Sequence, residues 1–428
     1  MNFVGSSAKN KWINQIKKSA SEIGDRNDFS YIDRYIEDKR IILLGENSHG
    51  IGDYFKTKID LIRYLHQHHG FNVVVLESGL LEATLCKEYL NDYPPEIQIP
   101  NSLLDIYHNE EMKPLFSEKW AQSIRISGMD PQPTYPLVSE HMIKWLKNHT
   151  DHELYEKMKI VEELYFELQD EMLVKITKPL KKKMKFAIEE YESLIRLIDI
   201  KYEIFTNHEV QRMLQLIQKG MQDRMNWLQI NLKGYLSSGV QRGFNMFQNL
   251  EWLMKHFYKN EKIIVWAHNF HIRKRQSLYA KLLGIKSVGY WLQKKYPDDF
   301  YAIGLYAGSG NFATQIRVEL EIFFMKENHL EELLLDSSAY DLFLPLDSES
   351  QTTDKKVWYK RKWWLLESNF SGLGRMLCYP KDHYDAIIFH NKVRPPRYFK
   401  KSENRGLSCF GSIIIIKGSF RKLCCYLV

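Results

Sequence analysis

The 428-residue chain sets 60 Lys and Arg against 53 Asp and Glu, a formal net charge of +7. That excess is small and spread out, with no basic repeat and no aromatic-basic motif, so nucleic acid is not an expected partner. Hydrophobic residues at 44% supply a substantial core, in one large domain with an insertion or in two domains.

No stretch reaches the roughly 18 apolar residues of a membrane-crossing helix, so no membrane association is expected. Met1–Val4 runs at once into GSSAKNKW, which is too polar for a signal-peptide core, and the expected location is the cytoplasm. Cysteines stand at 86, 378, 409, 424 and 425, without a CxxC pair or framework spacing, and are expected as free thiols.

Short apolar runs ending in polar residues organise the chain. Ile41–Leu44 runs into Gly45-Glu46, and Asn72–Leu76 into Glu77. Between them Phe55, Ile59 and Ile62, widened by Tyr54, Leu61 and Leu65, recur at helical spacing until Gly70 stops the helix. The unit reads as βαβ, with its two strands parallel and adjacent. Ile124–Met129 runs into Asp130. From 136 to 258 no strand pattern appears. Leu154, Met158, Val161, Tyr165, Leu168 and Met172 repeat as a helix does, Pro179 opens a second helical stretch, and Val210–Trp227 and Gly243–Phe257 read likewise. The Lys-rich run Lys175–Lys185 reads as a solvated helix face. Strand patterns resume with Lys262–Trp266 into Ala267-His268, Tyr301–Leu305 into Ala307-Gly308-Ser309-Gly310, and Asp385–Phe389 into His390.

Near-continuous apolar strands imply a mostly parallel sheet covered on both faces. The expected fold is therefore α/β: a central, mostly parallel sheet flanked by helices, with a helical insertion capping the cleft at the strand ends. The halves of the core are expected at 1–135 and 259–400, the insertion at 136–258. Residues 401–428 form an atypical tail, either an added hairpin or the product of a shifted reading frame, and are expected to carry no catalytic role. Ligands of open parallel sheets lie outside the carboxyl ends of the strands, which places Glu46, Glu77, Asp130 and His268 on one edge.

Gly45-Glu46-Asn47-Ser48-His49-Gly50 lies between a strand and a helix, where backbone N–H groups can face an anion or a developing oxyanion. A carboxylate that takes one ring N–H of His49 leaves the other nitrogen free as a base. The plainer possibility is that Asn47 or Ser48 caps the helix. His268-Asn269-Phe270-His271 follows a strand and lacks the helical HExxH arrangement of zinc enzymes. Glu46, His49, Glu77, His268 and His271 could still assemble a metal site from separate loops. Glu77 ends a buried strand and needs a partner, for which Lys58 or Arg63 would serve. No GxSxG elbow, P-loop or GxGxxG fingerprint is present, and Cys86 suits a buried apolar role better than a nucleophilic one.

Taken together, Gly45-Glu46 through His49-Gly50, Gly70-Phe71 with the strand to Glu77, Gly128-Met129-Asp130, Arg242 to Asn249, Trp266-Ala267-His268-Asn269 with His271, Gly289 and the Tyr384–Phe389 strand resemble the erythromycin esterase family. Some relatives of this type are named for succinoglycan biosynthesis. The resemblance spans about residues 10 to 400, and GE-x-x-HG followed by WAHN-x-H is its specific part. It implies a hydrolase without metal or other cofactor that opens the macrolactone of erythromycin-like antibiotics, an antibiotic-resistance activity with a small-molecule ester as partner. The family's essential histidine falls on His49, its acidic partners on Glu46 and Glu77, and its second histidine cluster on His268 and His271. Lys58 and Arg242 match its basic positions and, with Asp130 and Asn269, are expected to bind substrate. Ile51, Asp53 and Gly243 depart from the family's usual residues, which bears on the substrate more than on the reaction. The expected reaction is ester hydrolysis by water that His49 activates, with Glu46 or Glu77 holding the ring and His268, His271, Lys58 and loop N–H groups facing the oxyanion. A metal-dependent hydrolase built on the same cluster and a non-catalytic binding protein are the alternatives.

Overall fold

The computed structural model describes residues 6–24, 28–134, 136–233, 235–323, 328–346, 357–369 and 372–400. The tail at 401–428, with Cys409, Cys424 and Cys425, lies outside the described residues. Cys86 and Cys378 are buried free thiols.

The strands are β1 (Ser21–Ile23), β2 (Ile41–Leu44), β3 (Phe71–Gly79), β4 (Arg125–Asp130), β5 (Lys262–Trp266), β6 (Phe300–Ala313), β7 (Glu319–Glu321), β8 (Asp341–Pro345), β9 (Trp363–Asn369), β10 (Gly372–Cys378) and β11 (Ala386–Val393). One sheet runs β1-β8-β11-β6-β2-β5-β3-β4, with β7 added to β6, while β9 and β10 form a separate hairpin. From β11 to β4 every pairing is parallel; antiparallel β8 and β1 finish the β11 edge, and β7 pairs antiparallel with the far end of β6. The fold is the expected α/β one. All four β2 residues are fully buried, as are Ile263–Trp266 of β5, because helices cover both faces.

One expected adjacency is corrected. β2 and β3 are parallel, but β5 lies between them and pairs with both. The Gly52–His69 helix therefore crosses over one vacant position, and β5, apolar on both faces, fills it and completes the backbone ladders on either side. β6 also runs eight residues past Leu305, because its far end pairs with β7 and packs closely on β11. β1, β7, β8 and the β9–β10 hairpin carry no clear pattern in the sequence.

Between β4 and β5 the described residues are helical, as expected: Leu137–His149, His152–Val174, Lys178–Lys201, His208–Lys233 and Tyr235–Trp252. Asp151 caps the second of these, and Thr177 caps the third at 3.3 Å to Leu180 N, with Pro179 just inside its start. Leu154, Met158, Val161, Tyr165 and Leu168 face the core, whereas the lysines of 175–185 are exposed. Arg224 docks this segment on the sheet layer. It pairs with Glu82 at 2.6 Å, just after β3, and with Glu162 at 3.2 Å, all three wholly buried. No helix among the described residues is long and apolar enough to cross a membrane.

Gly50 and Gly70 do different work. A Cβ on Gly50 would stand 1.7 Å from the Ala313 carbonyl oxygen, because the loop after β2 lies flush on the end of β6. Gly70 has φ +70° and open space around it. Gly50→Ala is therefore expected to cost ~3 kcal/mol or more, and Gly70→Ala only the ~1–2 kcal/mol of left-handed strain. Urea unfolding of the two variants checks the order.

Candidate active site

The loop after β2 continues the sheet's ladder. Gly45 N–H donates to Ile303 O at 2.8 Å, Asn47 N–H to Leu305 O at 3.2 Å, and Glu46 O accepts from Asn269 N–H at 2.8 Å. Held this way, the buried Glu46 carboxylate meets three donors. His49 Nδ1–H donates to Oε1 at 2.6 Å, while Lys58 Nζ at 2.6 Å and Trp266 Nε1 at 3.1 Å donate to Oε2. Burial works to raise the Glu46 pKa, but the charge of Lys58 and the His49 contact outweigh it and bring it to about 2. Burial pulls Lys58 down to about 8 against the opposing pull of Glu46.

Because Glu46 is ionised it can only accept, so His49 carries its proton on Nδ1 and keeps the lone pair on Nε2. Nε2 makes no hydrogen bond among the described residues, and the side chain is 17% exposed. Burial lowers the His49 pKa, but the hydrogen bond and charge of Glu46, with the charge of Glu77, prevail and raise it above an ordinary imidazole.

Glu77 sits where the β3–β4 register breaks between Leu76 and Gly79, so its N–H leaves the ladder and donates to the Tyr107 hydroxyl at 3.1 Å. That hydroxyl donates to Trp266 O at 3.2 Å and so pins the ends of β3 and β5 together. The Glu77 carboxylate takes His271 Nε2 at 3.0 Å and Arg242 at 3.3 Å on Oε1, and the His268 backbone N–H at 2.9 Å on Oε2. Burial would raise its pKa, yet His271, His49 and Arg242 hold it well below the usual carboxylate range. Neither Lys58 nor Arg63 partners Glu77, which corrects that expectation: Lys58 is spent on Glu46. Arg242 also forks onto Asp130, with Nε 3.2 Å from both carboxylate oxygens, and so ties the helix Tyr235–Trp252 to the end of β4.

His268 is arranged differently from His49. Its Nδ1 accepts from Phe270 N–H at 3.1 Å, so Nε2 holds the proton and donates to Ser368 Oγ at 2.8 Å and Asn47 O at 3.2 Å. Burial, with His49 nearby, pushes its pKa down to about 3, so the ring stays neutral. In this tautomer it cannot take the Ser368 proton, and the pair is not an activated nucleophile. The His49 and His268 rings lie 5.1 Å apart.

The structure thus gathers Glu46, His49, Glu77, Asp130, Arg242, His268 and His271 at the carboxyl edge of the sheet. Lys58 and Asn269 lie beneath them with no exposure, Asn269 donating to Leu305 O at 3.2 Å. Among the described residues no three His, Cys, Asp or Glu side chains are grouped to hold a metal ion. Trp266, Tyr107 and Ser368 belong to the same network and escaped the sequence reading. The sequence marks Trp266 only as the end of a strand and the start of WAHN-x-H, with no role of its own, and nothing in it marks Tyr107 or Ser368.

Such a gathering of histidine–carboxylate pairs lies where α/β folds place their ligand sites, outside the carboxyl ends of the parallel strands. A model of the erythromycin esterase family matches residues 66–393, and the chain belongs to that family. The match begins after the Glu46–His49 loop and includes Glu77, Asp130, Arg242, His268 and His271. YbfO of Bacillus subtilis (strain 168) is 26% identical over 327 residues, covering 70% of this chain and 72% of YbfO. Erythromycin esterase type II of Escherichia coli is 24% identical over 323 residues, covering 67% and 73%. The crystal structure of a succinoglycan biosynthesis protein shares the fold, with TM-score 0.73 and 20% identity over 92% of this chain and all of that one.

Removing the Lys58 charge leaves Glu46 buried with two donors. Lys58→Met is expected to lose about 3–5 kcal/mol of stability. Urea unfolding of the variant reads that loss.

Proposed function

We propose that the protein is a carboxylic ester hydrolase in which His49 removes a proton from the attacking water. The observation that carries this reading is the His49–Glu46 contact with Nε2 left open. The carboxylate fixes the tautomer and stabilises the imidazolium that forms as the proton is taken. Glu77, well ionised beside the same ring, adds to that stabilisation. His271 holds Glu77 in place through Nε2, and the proton that His49 takes from water is the one it returns to the departing alkoxide.

The contacts support a different donor for the tetrahedral oxyanion from the one expected. Lys58 is buried on Glu46 and the His268 Nε2–H is engaged by Asn47 and Ser368, so neither is free to turn to a substrate. Arg242, with its side chain 30% exposed, and the loop N–H groups take that role. Asp130 serves the substrate indirectly, by aiming Arg242, and Asn269 by fixing the loop that bears Glu46. The substrate class is a small-molecule carboxylic ester. A macrolide lactone is the first member to test, because a relative of similar length is named an erythromycin esterase.

His49→Ala is expected to lower kcat by about a hundredfold or more on a panel of aryl esters and macrolides, with a cooperative thermal melt that falls by the loss of one of the three donors to buried Glu46. A folded His49→Ala enzyme that keeps a tenth of the activity would refute the assignment.

The pH profile has a definite sign. The base form of His49 is needed, and its pKa is raised above the ordinary 6.5. Activity should therefore climb with pH along an acid limb centred above 6.5 and fall as pH drops through it. A limb centred below that value would mean that a different group supplies the base.

A further inference from the structure

Trp266 closes β5 and is wholly buried against Phe55 and Tyr107, with ring centroids 5.2 and 5.9 Å away. Packing accounts for the size of the ring and leaves its nitrogen unexplained. A buried indole N–H needs an acceptor, and a backbone carbonyl would ordinarily serve. Here the acceptor is Glu46 Oε2, at 3.1 Å, the same oxygen that Lys58 Nζ holds at 2.6 Å. The Lys58 ammonium lies 4.7 Å from the centre of the Trp266 ring, so the indole orders both groups on that side of the carboxylate. His49 Nδ1 grips the opposite oxygen at 2.6 Å.

The geometry points to Trp266 as a positioning residue that acts on His49 through Glu46: its N–H fixes the carboxylate plane and draws charge toward Oε2, which tempers the proton affinity of the imidazole. The consequence for catalysis rests on the reading of His49 as the base; the titration of His49 does not. The charged and titratable groups facing that ring are Glu46 of its own loop, Lys58 of the Gly52–His69 helix, Glu77 at the end of β3, and His268 after β5. All of them remain when the indole N–H is removed, so a change in His49 reports the loss of that donor.

Two variants of the full chain test this. Trp266→Phe removes the N–H and part of the ring. Benzothienylalanine in place of Trp266, introduced by nonsense suppression, keeps the bicyclic shape and exchanges the N–H for sulfur, so it preserves the packing even where Trp266→Phe fails to fold. With the donor gone, more of the Glu46 charge falls on His49. Its NMR titration midpoint should rise by ~0.5 pH or more, about a threefold gain in proton affinity, the scale expected of one hydrogen bond. On an ester that the wild type cleaves, the acid limb should move up with it, and kcat should fall a few-fold at unchanged KM, because the indole touches no substrate. An unmoved His49 midpoint in the benzothienylalanine protein overturns the inference and leaves Trp266 as core packing. A midpoint that moves in a protein whose wild type cleaves no ester supports the inference and counts against the proposed reaction alone.

Discussion

A carboxylate removed from water must be matched by positive charge and hydrogen bonds, or it takes up a proton. Glu46 is wholly buried, and the surrounding structure is organised around meeting that requirement. Lys58 reaches it from the second turn of the Gly52–His69 helix, Trp266 from the end of β5, and His49 from its own loop. The charge of Lys58 keeps Glu46 ionised, and an ionised Glu46 is what obliges His49 to hold its proton on Nδ1. The open nitrogen of His49 is thus a consequence of a lysine that no substrate touches. An expected ligand-binding residue is, in the structure, a buried partner of Glu46 that bears on the tautomer of His49.

Topology supplies the second half of the site. A strand that arrived beside β2 directly after its crossover helix would have put Glu77 next to Glu46, two carboxylates with little between them. The position is instead left for β5, which enters after the whole helical segment. Its end brings Trp266 to Glu46 on one side and the His268 N–H to Glu77 on the other. The two carboxylates are held apart by groups that donate to each. Tyr107 fastens β5 to β3 at that level, and Arg242 brings the helical segment down onto Glu77 and Asp130.

Much of this edge was legible in the sequence, and the reason is physical. Strands buried on both faces are short apolar runs, and the first polar residue after each marks where the strand leaves the sheet. Glu46, Glu77, Asp130 and His268 were located that way. Strand order was not, because an apolar run specifies burial and not neighbours, and β5 lies 183 residues beyond Glu77–Gly79 by no rule that a local pattern expresses. Partner choice was hidden for a related reason. Glu77 calls for a cation, and several stand near it in sequence, but the one it receives is Arg242, 165 residues away. Ser368 was invisible because its hairpin lies outside the main sheet and owes its place to Asn47, whose carbonyl accepts the Ser368 N–H at 2.7 Å.

His49 and His268 show why residue type alone could not separate the roles. Both rings lie at the same sheet edge, yet His268 spends Nδ1 on the start of its own short helix and Nε2 on Asn47 and Ser368, and burial keeps it neutral. His49 spends one nitrogen on a carboxylate and none on anything else. His268, which offers no open nitrogen and no carboxylate to its ring, cannot accept a proton without breaking the contacts that hold it. His271 has a carboxylate, Glu77, on Nε2, but its Nδ1 is buried. His49 has its carboxylate on Nδ1 and is the most exposed of the three rings, so the negative charge that balances a proton arriving on its open nitrogen is already in place beside it.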